Sequence, residues 1–149
     1  MLRKIIATTS SWTPLPLRLA LAAVFIAHGA GKVLGSWGGP GLAKFTSYAA
    51  PFPFMRPGWL WMGAAAFAEL IGGGLLLLGL LTRVGALLLA FTMAVAISGP
   101  HWGAFFAPGG FEYPMSLLAM CLALLISGGG MASIDLGLSS RRRKWKTGK

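Results

Sequence analysis

WLWMGAAAFAELIGGGLLLLGLL, Trp59 to Leu81, decides the fold. A helix needs about 20 mostly apolar residues to cross the hydrocarbon core of a bilayer. This stretch supplies them with a single charge, Glu69, near its midpoint. It opens on Trp59 and Trp61, the aromatic type that settles at a membrane–water interface. Its ladder of small residues, Ala65, Ala66, Gly72 and Gly73, lies three and four positions either side of Glu69. Such a face lets a neighbouring helix approach closely. Glu69 is therefore expected at a helix–helix contact, turned away from lipid.

Three further apolar runs flank it. Leu15 to Leu34 begins beside Pro14 and Pro16, which suit a first helical turn. Val84 to Ser98 follows the short connection Thr82-Arg83, which predicts a tight antiparallel hairpin. Tyr113 to Ser127 has Pro114 in its first turn and Gly128-Gly129-Gly130 beyond its end. The last two are short for a span, which implies tilt or local thinning of the bilayer. The expected fold is all-α: a single membrane domain, a four-helix bundle with spans at about 15–34, 59–81, 84–98 and 113–127. The first run also resembles a signal peptide loosely, but Arg18 interrupts it and no A-x-A site follows, so it reads as a retained span.

Composition agrees. Of 149 residues, 56% are hydrophobic and 11% charged, with a mean hydropathy of +0.72. A soluble domain carries about 25% charged residues, so this chain lacks the polar surface to dissolve as a monomer. The net charge of +10 is unevenly placed. Arg141, Arg142, Arg143, Lys144, Lys146 and Lys149 fall in the tail 139–149, directly after the apolar runs. That position reads as a cytoplasmic anchor on anionic lipid or on a partner, and not as a nucleic-acid surface. With both termini inside, the inner set is Arg3, Lys4, Arg18, Arg83 and the tail; the outer loops keep Lys32, Lys44 and Arg56. The positive-inside rule thus favours N-in and C-in, a multi-pass protein of a bacterial cytoplasmic membrane.

The outer loop from Gly35 to Gly58 is rich in aromatics. Leu42, Phe45 and Ala49 share a helical face, which predicts a short interfacial helix over about 41–50. Pro51, Pro53 and Pro57 end it. The segment reads as a cap on the bundle in preference to a lid over a pocket.

An acid at mid-bilayer is costly and usually marks function, so Glu69 is the first site candidate. His28 and Lys32 share one face of the first helix. Counting 1.5 Å per residue from each boundary puts His28 within about 5 Å of the depth of Glu69. Lys32 stands higher, free to join a proton-handling or ligand-polarising cluster or to snorkel to the interface. Glu112 and Tyr113 open the fourth helix, where an acid suits the helix dipole and a Tyr suits the interface. His101 and Trp102 read as solvated loop residues more readily than as part of a vestibule. Cys121 is the only cysteine and reads as a small buried hydrophobe, so no dithiol chemistry is expected. Two His, one Cys and three acids at scattered spacings give no metal site. HGAGK lacks the spacing of a phosphate-binding loop.

Three stretches in order resemble the DoxX family of small bacterial membrane proteins. RLALAAVFIAHGAGKVLG (18–35) is similar to its H-G-x-x-K helix. AELIGGGLLLLGLLTRVGALLLA (68–90) is similar to its E-x-x-G-G…G-L-x-T-R hairpin. GGFEYPMSLLAMCLALLISGGGMASID (109–135) resembles its G-x-E-Y-P segment with a Gly-rich exit. The resemblance implies a four-helix membrane bundle close to membrane redox chemistry, linked to quinone or oxidative-stress handling, with a quinone as one candidate ligand. By motif it points to His28, Lys32, Glu69, Arg83, Glu112, Tyr113 and Asp135. Two functions lead at this point, ahead of a small transporter or channel, for which no unwound helix pair or inverted repeat shows. One is a redox-associated subunit that binds a quinone and takes electrons from partner proteins. The other is a non-enzymatic accessory subunit, or homo-oligomer, packed into a larger membrane complex.

Overall fold

The computed structural model describes residues 6–106 and 108–147, with side chains as far as Ser140. Arg3, Lys4 and Lys149, counted above toward the topology, lie outside the described residues. Among those described there are six α-helices and no strand. They are α1 (Pro14–Leu34), α2 (Gly41–Thr46), α3 (Gly58–Leu78), α4 (Thr82–Ser98), α5 (Glu112–Ser127) and α6 (Ile134–Thr147), with a 3-10 turn at Ser36–Gly38.

The four long apolar helices pack in a ring: α1 on α3, α3 on α4, α4 on α5, and α5 back on α1. Leu21, Phe25, Leu76, Leu89 and Leu124 fill the centre. The outer faces keep large apolar side chains exposed, among them Ile71, Phe91 and Ile126. That is the reverse of what water selects, and it suits a hydrocarbon surround. α1 and α3 have 21 residues each, about 31 Å at 1.5 Å per residue, enough to cross a membrane by length and composition. α4 and α5 are shorter, with 17 and 16 residues.

The small-residue face of α3 does what its spacing suggested: a Cβ on Gly73 would fall 3.0 Å from Ile26 of α1. A Cβ on Gly29 of α1 would fall 2.5 Å from the backbone nitrogen of Leu70, so only glycine lets the two helices approach this closely. On the other side, Gly72 abuts Leu89 of α4. Glu69 directly precedes Leu70 on this helix.

Three elements depart from the sequence reading. α3 stops at Leu78, because Gly79 takes a left-handed conformation (φ 62) and its N–H closes on α3 carbonyls. The connection is then Gly79-Leu80-Leu81, and Thr82 and Arg83 already belong to α4. The loop helix α2 ends at Thr46, shorter than the expected 41–50. The tail is not a plain extension but part of α6, whose start is capped by Ser133: its hydroxyl oxygen accepts from the Leu136 N–H at 3.1 Å. Arg141, Arg142, Arg143, Lys144 and Lys146 follow on that helix. The anchoring role expected of their side chains falls outside the described residues.

Candidate functional site

Two buried polar centres lie at opposite ends of the bundle. The first is at the end where α1 begins. Arg18 is 1% exposed. Its guanidinium donates to the carbonyls of Leu76 (2.8 Å), Leu77 (3.0 Å), Gly129 (3.0 Å) and Ala132 (3.2 Å). Leu76 and Leu77 close α3, where carbonyls have no partner within the helix. Asp135, equally buried, accepts from the N–H groups of Leu81 (2.8 Å) and Thr82 (2.9 Å), the free donors at the start of α4. Arg83 does similar work alongside, donating to the carbonyls of Leu125 (2.7 Å) and Ile126 (2.8 Å) at the end of α5 and to Ala7 (3.1 Å). Arg83, counted above as an inner positive charge that anchors topology, thus also ties helix ends together.

The second centre is at the other end. Lys32, in the last turn of α1, donates to both carboxylate oxygens of Glu69, at 2.6 and 2.5 Å. Glu69 is 3% exposed. The Lys32 ammonium also stands 5.3 Å from the centre of the Phe45 ring of α2, within cation–π range. Depth counting singled out His28 as level with Glu69, yet Lys32 makes the bond. Side chains on a helix lean toward its N-terminus, and the lysine stem is long enough to reach back that turn. His28 lies one turn earlier on the same side.

Unlike the first centre, this pair faces open space. A cavity of about 380 Å³ is lined by His28, Lys32, Glu69, His101 and Tyr113. Its remaining wall is apolar, with Phe25, Met93 and Leu117. Small-molecule sites span about 300–1,000 Å³ and combine apolar walls with a few polar groups. A second, wider recess shares His28 and Lys32 and continues past Trp37, Phe45 and Tyr48. Lys32 therefore forms part of the wall of both.

Of the sequence candidates, the structure brings His28, Lys32, Glu69 and Tyr113 to one cavity. Glu112, in the first turn of α5, is not among the lining residues. Arg83 and Asp135 are at the far end. His101 was set aside as a solvated loop residue, but its Nδ1 lies 2.8 Å from the Gly109 carbonyl and it lines the cavity. Its loop folds back over the helix ends, and nothing in the local pattern around His101 signals that. No group of three or more metal-ligating side chains occurs among the described residues. Cys121 is fully buried beside the core leucines.

A family model described as DoxX matches residues 13–108. The chain belongs to the DoxX family. The match takes in α1 to α4, with His28, Lys32, Glu69 and Arg83, and ends before Glu112-Tyr113-Pro114. No curated protein and no solved structure matches the chain. As a DoxX family membrane protein, it holds its buried Glu69–Lys32 pair within the segment that defines the family match.

Proposed function

We propose that this DoxX protein binds a quinone-class ligand in the Lys32–Glu69 cavity and serves as a redox-associated subunit of the bacterial cytoplasmic membrane. The observation that supports it most is an ion pair with a buried carboxylate that borders a cavity combining polar side chains with apolar walls. A quinone ring has two carbonyl oxygens, hydrogen-bond acceptors on a flat apolar frame. Lys32, His28 and Tyr113 line the cavity and carry N–H or O–H donors for these oxygens, while the His101 Nδ1–H is taken by the Gly109 carbonyl. Glu69 holds the Lys32 ammonium in place until the ligand arrives. Electrons come from partner membrane proteins, with this chain supplying the binding site.

In this reading α1, α3, α4 and α5 all cross the membrane, with both termini inside. The cavity then opens in the outer half, and the Arg18–Asp135 centre lies at the cytoplasmic side. A reporter fused after Lys149 that reports a periplasmic location overturns this orientation. The ligand reading is tested by mass spectrometry of small molecules that co-purify from membranes in mild detergent. A quinone retained by the wild type and depleted in Glu69→Gln supports it. Equal retention by both, or retention by neither, contradicts it. Stoichiometric co-purification of a larger complex with no quinone points to the accessory-subunit role.

A further inference from the structure

A lysine ammonium carries three N–H donors. In Lys32 the two oxygens of Glu69 accept from this group. No further oxygen or nitrogen among the described residues does. The ammonium instead lies over the ring of Phe45, 5.3 Å from its centre. The face of an aromatic ring is the negative side of its charge distribution and attracts a cation.

Lys32 needs such a hold. Its side chain is 23% exposed, and it lines the wider recess together with Ser36, Trp37 and Tyr48. The stem is long and rich in rotamers, so the ammonium can leave Glu69 and turn into that recess. The ligand cavity would then lose its cationic donor.

The ring is fixed by contacts that do not involve Lys32. Its edge-to-face partner is Tyr48, with ring centres 5.9 Å apart and planes at 78°. The next residue, Thr46, packs its methyl group on α3, where a Cβ on Gly63 would stand 3.6 Å from it. The chain entering α2 is seated on α1, since a Cβ on Gly39 would collide with the Gly31 backbone. α2 thus presents a rigid ring to a flexible lysine.

We infer that Phe45 is a positioning residue of the ligand site: its ring face holds the Lys32 ammonium on Glu69 and out of the wider recess. The inference rests on the ligand reading above and adds the residue that keeps the donor in place. Phe45 lines the recess and not the cavity, so it acts on a ligand through Lys32. A site whose competent arrangement is only partly populated binds more weakly by that fraction.

The test uses the full-length protein in detergent as wild type, as Phe45→Tyr, as Phe45→Leu, and with Phe45 replaced by pentafluorophenylalanine, which keeps the shape of the ring and removes the negative charge of its face. The first readout needs no ligand: the rate at which a water-soluble amine reagent modifies Lys32, located by peptide mass spectrometry, with the exposed Lys44 as reference. The second is quinone affinity. The wild type and Phe45→Tyr should protect Lys32 alike. The leucine and fluorinated variants should label Lys32 about fivefold faster and bind quinone about fivefold more weakly, the scale of one cation–π contact. Should the leucine variant fail to fold, the fluorinated one carries the test. Equal labelling of Lys32 in all forms overturns the inference. So does protection that is lost with leucine but kept with the fluorinated ring, because bulk and not the ring face would then hold the lysine. Faster labelling with quinone affinity unchanged removes Phe45 from the ligand site. If the wild type binds no quinone, the ligand reading falls, while labelling in the expected order still establishes the hold on Lys32.

Discussion

The Arg18–Asp135 end and the Lys32–Glu69 end bury the same kinds of charge and use them differently. At the Arg18 end each charge is met by backbone. Four carbonyls surround the guanidinium and two N–H groups meet the carboxylate. Those groups belong to helix ends and connections that would otherwise lack partners in an apolar surround. At the Lys32 end the two oxygens of Glu69 share one ammonium, and the pair borders open space. Burying a charge is costly in both places. At the first it is offset by the helix termini it satisfies. At the second it leaves a polar group poised beside a cavity, which is what a ligand site needs. A buried charge saturated by backbone signals architecture; one that faces a cavity signals function.

The largest expected effect tests the architectural end. Arg18→Met strands the closing carbonyls of α3 and leaves Asp135 without its buried counter-charge. The loss should be about 3–5 kcal/mol, read as a collapse of the thermal unfolding midpoint in detergent. A midpoint unchanged within error would mean that the Arg18 network does not hold the bundle. Next comes Gly29→Val. The added side chain collides with the Leu70 backbone and forces α1 off α3. It should cost about 2–4 kcal/mol, at or above the usual range for overpacking, and should weaken ligand binding as Lys32 moves from Glu69. Stability lost with binding intact would uncouple the helix contact from the site. A third, Glu69→Gln, should lower quinone affinity about tenfold or more yet cost less stability than Arg18→Met, because the part-exposed Lys32 ammonium can turn into the wider recess once its partner is gone. The smallest effect belongs to the tail. Ser133→Ala removes the cap of α6 at a cost of about 1 kcal/mol, visible as faster amide exchange in its first turn with the bundle unchanged.

Much of this was legible in the sequence for identifiable reasons. The four apolar helices announce themselves by length and composition. The small-residue face around Glu69 foretells the tight contacts at Gly29 and Leu89, because close approach demands small side chains wherever it occurs. Glu69 itself stands out because so few acids share the chain. Other features depend on contacts between residues far apart in sequence. Arg18 finds carbonyls beyond Gly128, and Asp135 caps a helix that begins at Thr82; neither pairing leaves a local pattern. His101 reaches the cavity only because its loop folds inward. The choice of Lys32 over His28 was within reach, since the lean of helical side chains toward the N-terminus argues for the residue one turn later. The helical start of the tail was also readable in Ser133, three positions ahead of Leu136.

The central claim is that the Lys32–Glu69 pair serves a ligand and not the fold. The double variant Lys32→Met/Glu69→Gln tests it most directly, because it removes both charges together and leaves neither stranded. Equilibrium titration with a quinone, paired with a thermal unfolding curve, should show saturable binding to the wild type, none to the double variant, and midpoints within a few degrees. Undiminished binding by the double variant, or a bundle that fails to hold together without the pair, would contradict the account.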